Sequence, residues 1–188
     1  SEKFGITKDS YICVVARLTE EKGIHYLIDA YNKIKTDKKL VICGESSDTD
    51  EYVAKLKTLA AGNENIIFTG FVAGKTLSSV YSNAYAVFLP SNLEGMSISL
   101  LEALSYSNAV LCSDIPENTA VCKDTALFFE KGNVDDLKEK LESLLTNPET
   151  VEKLRKKAAE DVLSRFSWEK TAEKTVSYYK EILKGADR

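Results

Sequence analysis

Histidine, tryptophan and methionine occur once each in these 188 residues, and proline three times. A lone histidine, His25, argues against an imidazole cluster. The four cysteines, Cys13, Cys43, Cys112 and Cys122, show no C-x-x-C spacing, so a Cys/His metal site is not expected. Three of them sit inside apolar runs and read as small buried hydrophobes of a reduced, cytoplasmic protein. Long hydrophobic runs are absent: the two longest, Tyr11 to Ala16 and Ala84 to Leu89, have six residues each, whereas a membrane helix needs about 20. Positive charge is in deficit, with 25 Lys plus Arg against 29 Asp plus Glu and a net charge of −4. No basic stretch offers a footprint for a phosphate backbone, so nucleic acid is not an expected partner. The first residues carry neither a signal-peptide pattern nor an initiating methionine, and the chain reads as a piece of a longer protein.

What is present is ordinary globular composition, 44% hydrophobic and 29% charged, which excludes a disordered chain. Short β-branched or aromatic runs alternate with amphipathic stretches. Strands are predicted at 11–16, 40–43, 66–69, 85–89, 109–113 and 126–129, with helices at 24–34, 50–61, 76–83 and 100–106 between them. The strands are continuously apolar rather than alternating, as expected when helices cover both faces of a parallel sheet. After Gly132 the pattern is helical only, at 134–145, 149–165 and 169–183. No linker or repeat divides the chain. The expected fold class is therefore α/β, a doubly wound, Rossmann-like parallel sheet of about six strands with a helical C-terminal tail, in one domain spanning 1–188. The tail is expected to pack on that domain, although its last helix, with Trp168, Tyr178 and Tyr179, is also suited to docking elsewhere.

Two familiar phosphate motifs fail by inspection. Gly70-Phe71-Val72-Ala73-Gly74-Lys75-Thr76 lies between a strand and a helix, but has three residues between its glycines where a P-loop has four. The G-x-G-x-x-G dinucleotide fingerprint is missing after the first strand, which continues Ala16-Arg17-Leu18-Thr19.

Two other loops follow strands and open helices. In Arg17-Leu18-Thr19-Glu20-Glu21-Lys22-Gly23, Arg17 and Lys22 suit a diphosphate, the first as a planar fork and the second as a point charge. Two solvated loop cations would look the same. In Pro90-Ser91-Asn92-Leu93-Glu94-Gly95-Met96-Ser97, followed by Ile98 to Glu102, the carboxylates of Glu94 and Glu102 suit sugar or ribose hydroxyls if Glu102 lies in the first helical turn. Ser99-Leu100-Leu101-Glu102 equally fits a capping box, in which Glu102 only satisfies the backbone.

Together with Phe68-Thr69-Gly70-Phe71-Val72, Leu89-Pro90-Ser91 and Ser113-Asp114-Ile115-Pro116-Glu117, these segments resemble the retaining glycosyltransferases of family four over nearly the whole chain. The resemblance is to their C-terminal, donor-binding half, one of the two Rossmann-like domains of the GT-B fold, with Phe4-Gly5-Ile6 similar to the linker where that half begins. It implies that an N-terminal acceptor domain is absent from this chain. It further implies catalytic roles for Arg17, Lys22 and Glu94, the first two on the diphosphate and the third on the donor sugar. Gly95, Met96 and Ser97 would lie near that sugar, Glu102 would bind the ribose, and backbone at Gly70, Phe71 and Val72 would lie against the base. The implied partner is a nucleotide diphosphate sugar, and the acceptor a glycan, lipid or small molecule met through the missing domain. No cofactor and no metal are expected, and peripheral membrane association of the full-length enzyme is left open.

The sequence departs from that family at Ala16 and Ser97, where glycine is frequent, at Asn108 in a turn, and after Cys43-Gly44, where a second glycine is usual. The alternatives are a nucleotide-sugar epimerase on the same fold and a non-catalytic nucleotide-sugar-binding or interaction domain.

Overall fold

The computed structural model describes residues 4–46 and 49–186. Its elements run β1 (Tyr11–Val15), a one-turn 3-10 helix (Glu20–Lys22), α1 (Ile24–Asn32), β2 (Lys39–Cys43), α2 (Asp50–Leu59), β3 (Ile66–Gly70), α3 (Gly74–Asn83), β4 (Ala86–Leu89) and α4 (Ile98–Ser105). They continue with β5 (Val110–Ser113), α5 (Pro116–Cys122), β6 (Ala126–Phe129), α6 (Val134–Thr146), α7 (Pro148–Arg165) and α8 (Trp168–Ala186). All six strands are parallel, in the order β3-β2-β1-β4-β5-β6. The doubly wound reading holds.

Successive residues of each strand feed opposite faces. Ile12 and Val14 of β1 join a core with α1, α2 and α6, while Tyr11 and Cys13 join a second core with α3, α4 and α5. This two-sided burial is why the strands are uniformly apolar. All four cysteines are free, buried and part of the second core. Helix α7 serves both layers, Val151 and Leu154 packing in the first and Ala158 and Val162 in the second. At that crossing the Arg155 guanidinium bonds Asp9 Oδ1 at 2.6 Å and the carbonyls of Ala84 and Tyr85 at 3.0 Å.

Three expectations need correction. Helix α5 was not foreseen, because seven residues with Asn118 and Thr119 in the middle give too little periodicity. Helix α4 begins at Ile98 rather than Leu100, since Ser97 is its N-cap. The tail does not pack entirely on the domain: Trp168, Val176, Tyr178, Tyr179, Ile182 and Leu183 of α8 are all exposed.

The sheet order reverses between β1 and β4. Loops after those two strands lead to helices on opposite faces and splay apart, leaving the crevice where ligands of such sheets bind.

Candidate functional site

The loops after β1 and β4 meet at that crevice. Gly23 has φ +63°, and a Cβ there would lie 2.0 Å from the Pro90 carbonyl oxygen, so the two loops approach more closely than any side chain permits. The Asn92 backbone N–H donates to the Glu21 carbonyl at 2.7 Å, and the Asn92 side-chain amide donates to the Tyr26 hydroxyl at 3.3 Å. Held in this way, Lys22 Nζ stands 2.8 Å from Glu94 Oε2, across 72 residues of sequence. Ser91 Oγ donates to the other carboxylate oxygen at 2.7 Å. The Lys22 side chain is 16% exposed and that of Glu94 7%, so the pair is largely withdrawn from water while its edge stays reachable.

Arg17 is exposed at the start of the first loop, and its guanidinium makes no ion pair among the described residues. The Ala16 N–H donates to the Cys43 carbonyl and the Leu18 N–H to the Glu45 carbonyl, each at 3.0 Å, which carries the β1–β2 pairing past the strand ends. Gly44 permits it, because a Cβ there would meet the Ala16 carbonyl oxygen at 1.8 Å. Ala16 thus costs nothing locally, and Gly44 supplies the close approach. The Thr19 hydroxyl donates to Glu21 at 2.6 Å and holds that carboxyl below its usual range.

Ser97 is buried, and its hydroxyl accepts from the Leu100 N–H at 3.4 Å. Glu102 therefore sits in the second turn of α4, and neither the capping box nor the first-turn placement describes it. The Glu102 Oε2 atom instead accepts from the Tyr81 hydroxyl at 3.3 Å. Burial, with the Glu102 carboxylate next in weight, raises the Tyr81 phenol far above its ordinary range, so it remains a donor. Gly95 and Met96 are exposed just before the helix start, where the N–H groups of Ile98 and Ser99 lack intrahelical partners. Glu102 and Met96 also line a cleft of about 350 Å3 between α4 and the α7–α8 junction, with Phe166 and Trp168 opposite. Gly70 ends β3 with φ +72°, Phe71 is exposed and Val72 half-buried.

Lys22 and Glu94 are thus in direct contact, with Gly95 next in the chain. Arg17 shares the β1 loop without touching them, and Glu102 and the Gly70–Val72 segment form separate parts of the same sheet end. The sequence reading assigned no role to Ser91, Tyr81, Ser113 or Asn118. Ser91 lay inside a quoted motif, but a serine after Pro90 gives no local sign that it grips a carboxylate three residues on. Among the described residues no group of three or more His, Cys, Asp or Glu side chains is placed to hold a metal ion.

The pattern of the family described as glycosyl transferases group 1 matches residues 1–161. An uncharacterised glycosyltransferase of Methanocaldococcus jannaschii is 32% identical over 176 residues, 92% of this chain and 45% of its own length. The chain spans about half the length of the curated relatives it matches. Among solved structures, Anabaena HepE in complex with UDP-glucose superimposes with a TM-score of 0.88 at 16% identity, covering 96% of this chain and 51% of that one. The C-terminal domain of a glycosyl transferase group 1 protein from Francisella tularensis gives 0.72 at 23% identity, covering 86% and 89%. With most of its length matched, this chain belongs to the glycosyl transferases group 1 family.

Proposed function

We propose that this chain is the donor-binding half of a retaining, nucleotide-sugar-dependent glycosyltransferase. The observation that carries the reading is the Lys22–Glu94 pair, a desolvated cation and a fixed carboxylate side by side at the reversal of strand order. Diphosphates bind where helix N-termini and cations converge, and sugar hydroxyls where a carboxylate is held in place with lone pairs still open on its oxygens. In transfer, the bond between the anomeric carbon and the diphosphate breaks, its electron pair going to the phosphate oxygen, while the acceptor's hydroxyl oxygen bonds to the anomeric carbon and gives up its proton to the departing diphosphate. Lys22 and Arg17 stabilise the charge that develops there, Lys22 with little reorganisation because the ion pair already orients it. Glu94 holds the donor sugar, beside Gly95, Met96 and Ser97. Glu102 takes the ribose hydroxyls, and backbone at Gly70, Phe71 and Val72 faces the base.

The HepE complex with UDP-glucose supports a nucleotide sugar as the ligand, and the Francisella domain supports a half of this kind as a folding unit. The reading places a second, acceptor-binding domain in the whole protein, a glycan, lipid or small-molecule acceptor there, and catalysis without a metal. It further places the protein in the cytoplasm, in polysaccharide biosynthesis, with peripheral membrane contact left to the acceptor domain.

Calorimetric titration of the chain with UDP, GDP and ADP tests the reading. One of the three is expected to bind, and Arg17→Ala and Glu102→Ala are each expected to weaken it by about tenfold, the scale of one charge-assisted contact. No binding of any of them at millimolar concentration, or full affinity in both variants, overturns it.

A further inference from the structure

The Glu94 end of the ion pair is the terminus of a longer polar chain that runs into the core. Ser113, the last residue of β5, is fully buried, and its hydroxyl donates to the Ser91 carbonyl at 2.5 Å. Asn118, in α5, is also fully buried, and its Nδ2 donates to both the carbonyl and the hydroxyl oxygen of Ser113 at 3.1 Å. A carbonyl oxygen only accepts, so this bond fixes which end of the Asn118 amide faces Ser113. With a donor arriving at Ser113 Oγ, the hydroxyl proton is directed to Ser91. Ser91 in turn donates to Glu94 at 2.7 Å, and Glu94 accepts from Lys22 at 2.8 Å.

The pairing of β4 with β5 ends at Leu89 and Cys112, and Pro90, with no N–H, cannot extend a ladder as donor. The Ser113 side chain does so instead, anchoring the β4 loop one step beyond the sheet. The arrangement has a cost that simple packing would avoid: Asn118 Oδ1 is the one buried side-chain polar atom without a partner among the described residues. A polar trio kept inside an apolar layer, at the expense of an unsatisfied oxygen, is aimed at geometry rather than stability.

We infer that Ser113 and Asn118 are positioning residues for the Lys22–Glu94 pair, setting the reach of the β4 loop through the Ser91 carbonyl. The inference rests on the functional reading above only for what the pair binds. Two measurements on Ser113→Ala test it, with Ser113→Cys, which nearly keeps the volume but donates weakly, as the substitute where the alanine variant does not fold.

The first is amide hydrogen exchange without ligand. The Asn92 amide, bonded to Glu21 across the two loops, is expected to lose at least about tenfold more protection than the Val14 amide in the middle of β1, since local opening is separable from global unfolding. Equal loss at both sites marks a merely structural residue and overturns the inference. The second is affinity for whichever of UDP, GDP and ADP binds. Ser113→Ala is expected to weaken it by about threefold to tenfold, and to add nothing in a Lys22→Ala background, because residues acting through one contact are not additive. Additive losses overturn the inference. If none of the three nucleotides binds the unaltered chain, the donor-site reading fails and hydrogen exchange alone decides this one.

Discussion

Replacing Gly23 by alanine tests whether the contact between the β1 and β4 loops is what makes the site. Two costs add. The residue has φ +63°, and left-handed backbone costs an alanine about 1–2 kcal/mol. The new methyl would also fall 2.0 Å from Pro90 O and 3.0 Å from Pro90 C, atoms of a backbone that cannot rotate away, and overpacking of this kind costs about 1–3 kcal/mol. The sum is about 2–5 kcal/mol, below the roughly 5–15 kcal/mol a domain holds, so the variant folds. For a chain of this length that lowers the thermal midpoint by about 4–20 °C. Relief comes from moving the loops apart, which separates Lys22 from Glu94 and lowers nucleotide affinity as well. Gly95→Ala is the control for stability alone, because a Cβ there meets nothing within 4 Å, while affinity is compared with the unaltered chain. Urea denaturation of both variants and calorimetry of Gly23→Ala give the answer. A Gly23→Ala chain within about 0.5 kcal/mol of the original, the range of neutral surface changes, with unchanged affinity, would refute the argument.

Lys22→Ala leaves a Glu94 carboxylate 7% exposed with Ser91 as its remaining partner, and is expected to cost about 3 kcal/mol in urea denaturation, the lower end for a broken buried pair. Arg17→Ala removes an exposed cation that makes no ion pair among the described residues and is expected to leave stability within about 0.5 kcal/mol; a matching loss in the two variants would contradict the difference in burial. His25 Nδ1 lies 2.9 Å from the Tyr52 hydroxyl. Burial, then the nearby Lys55, lowers the imidazole below its usual 6.5, against the raising influence of Glu20 and Asp29. As pH falls the unfolded chain therefore binds a proton first, so this contribution is complete above about pH 6.5 and declines below it. Denaturation at about pH 7 and pH 5.5 is expected to show a smaller loss in His25→Gln than in the unaltered chain; an equal loss would remove His25 from the pH response.

The strands were legible because burial on two faces leaves runs such as Ile12 to Val15 with no polar interruption, a signal read within five or six residues. The start of α4 was not, although its residues were all in view. Ser99 and Glu102 have capping-box spacing, but Ser97 has the extended backbone, φ −73° and ψ 108°, that lets its hydroxyl turn to Leu100. Periodicity shows that α8 has an apolar face, yet carries no information about what that face meets. Of the site, the two loops were legible separately, each between a strand and a helix. Their contact was not, since Lys22 and Glu94 are neighbours only through the pairing of β1 with β4. Ser113 and Asn118 were still further from view: a serine ending a strand and an asparagine in a short helix are common features, and only the fold brings them to one carbonyl.

The setting of Lys22 also explains why a carboxylate stands where an anionic ligand is proposed. Lys22 lies just before the first turn of α1, the positive end of that helix, an unfavourable place for a lone cation. Glu94 neutralises it and is itself steadied by Ser91. The proposed diphosphate, on entering the crevice, would meet a lysine already stripped of most of its water, with the free N–H groups at the start of α4 close along the chain. Its negative charge is then favoured by the same helix ends that disfavoured the lysine. The carboxylate, still gripped by Ser91, keeps its place for hydroxyl groups of whatever the diphosphate carries. One buried pair thus serves the folded chain before binding and presents both signs of charge to the ligand afterwards, and the strand reversal is where one loop can supply each sign.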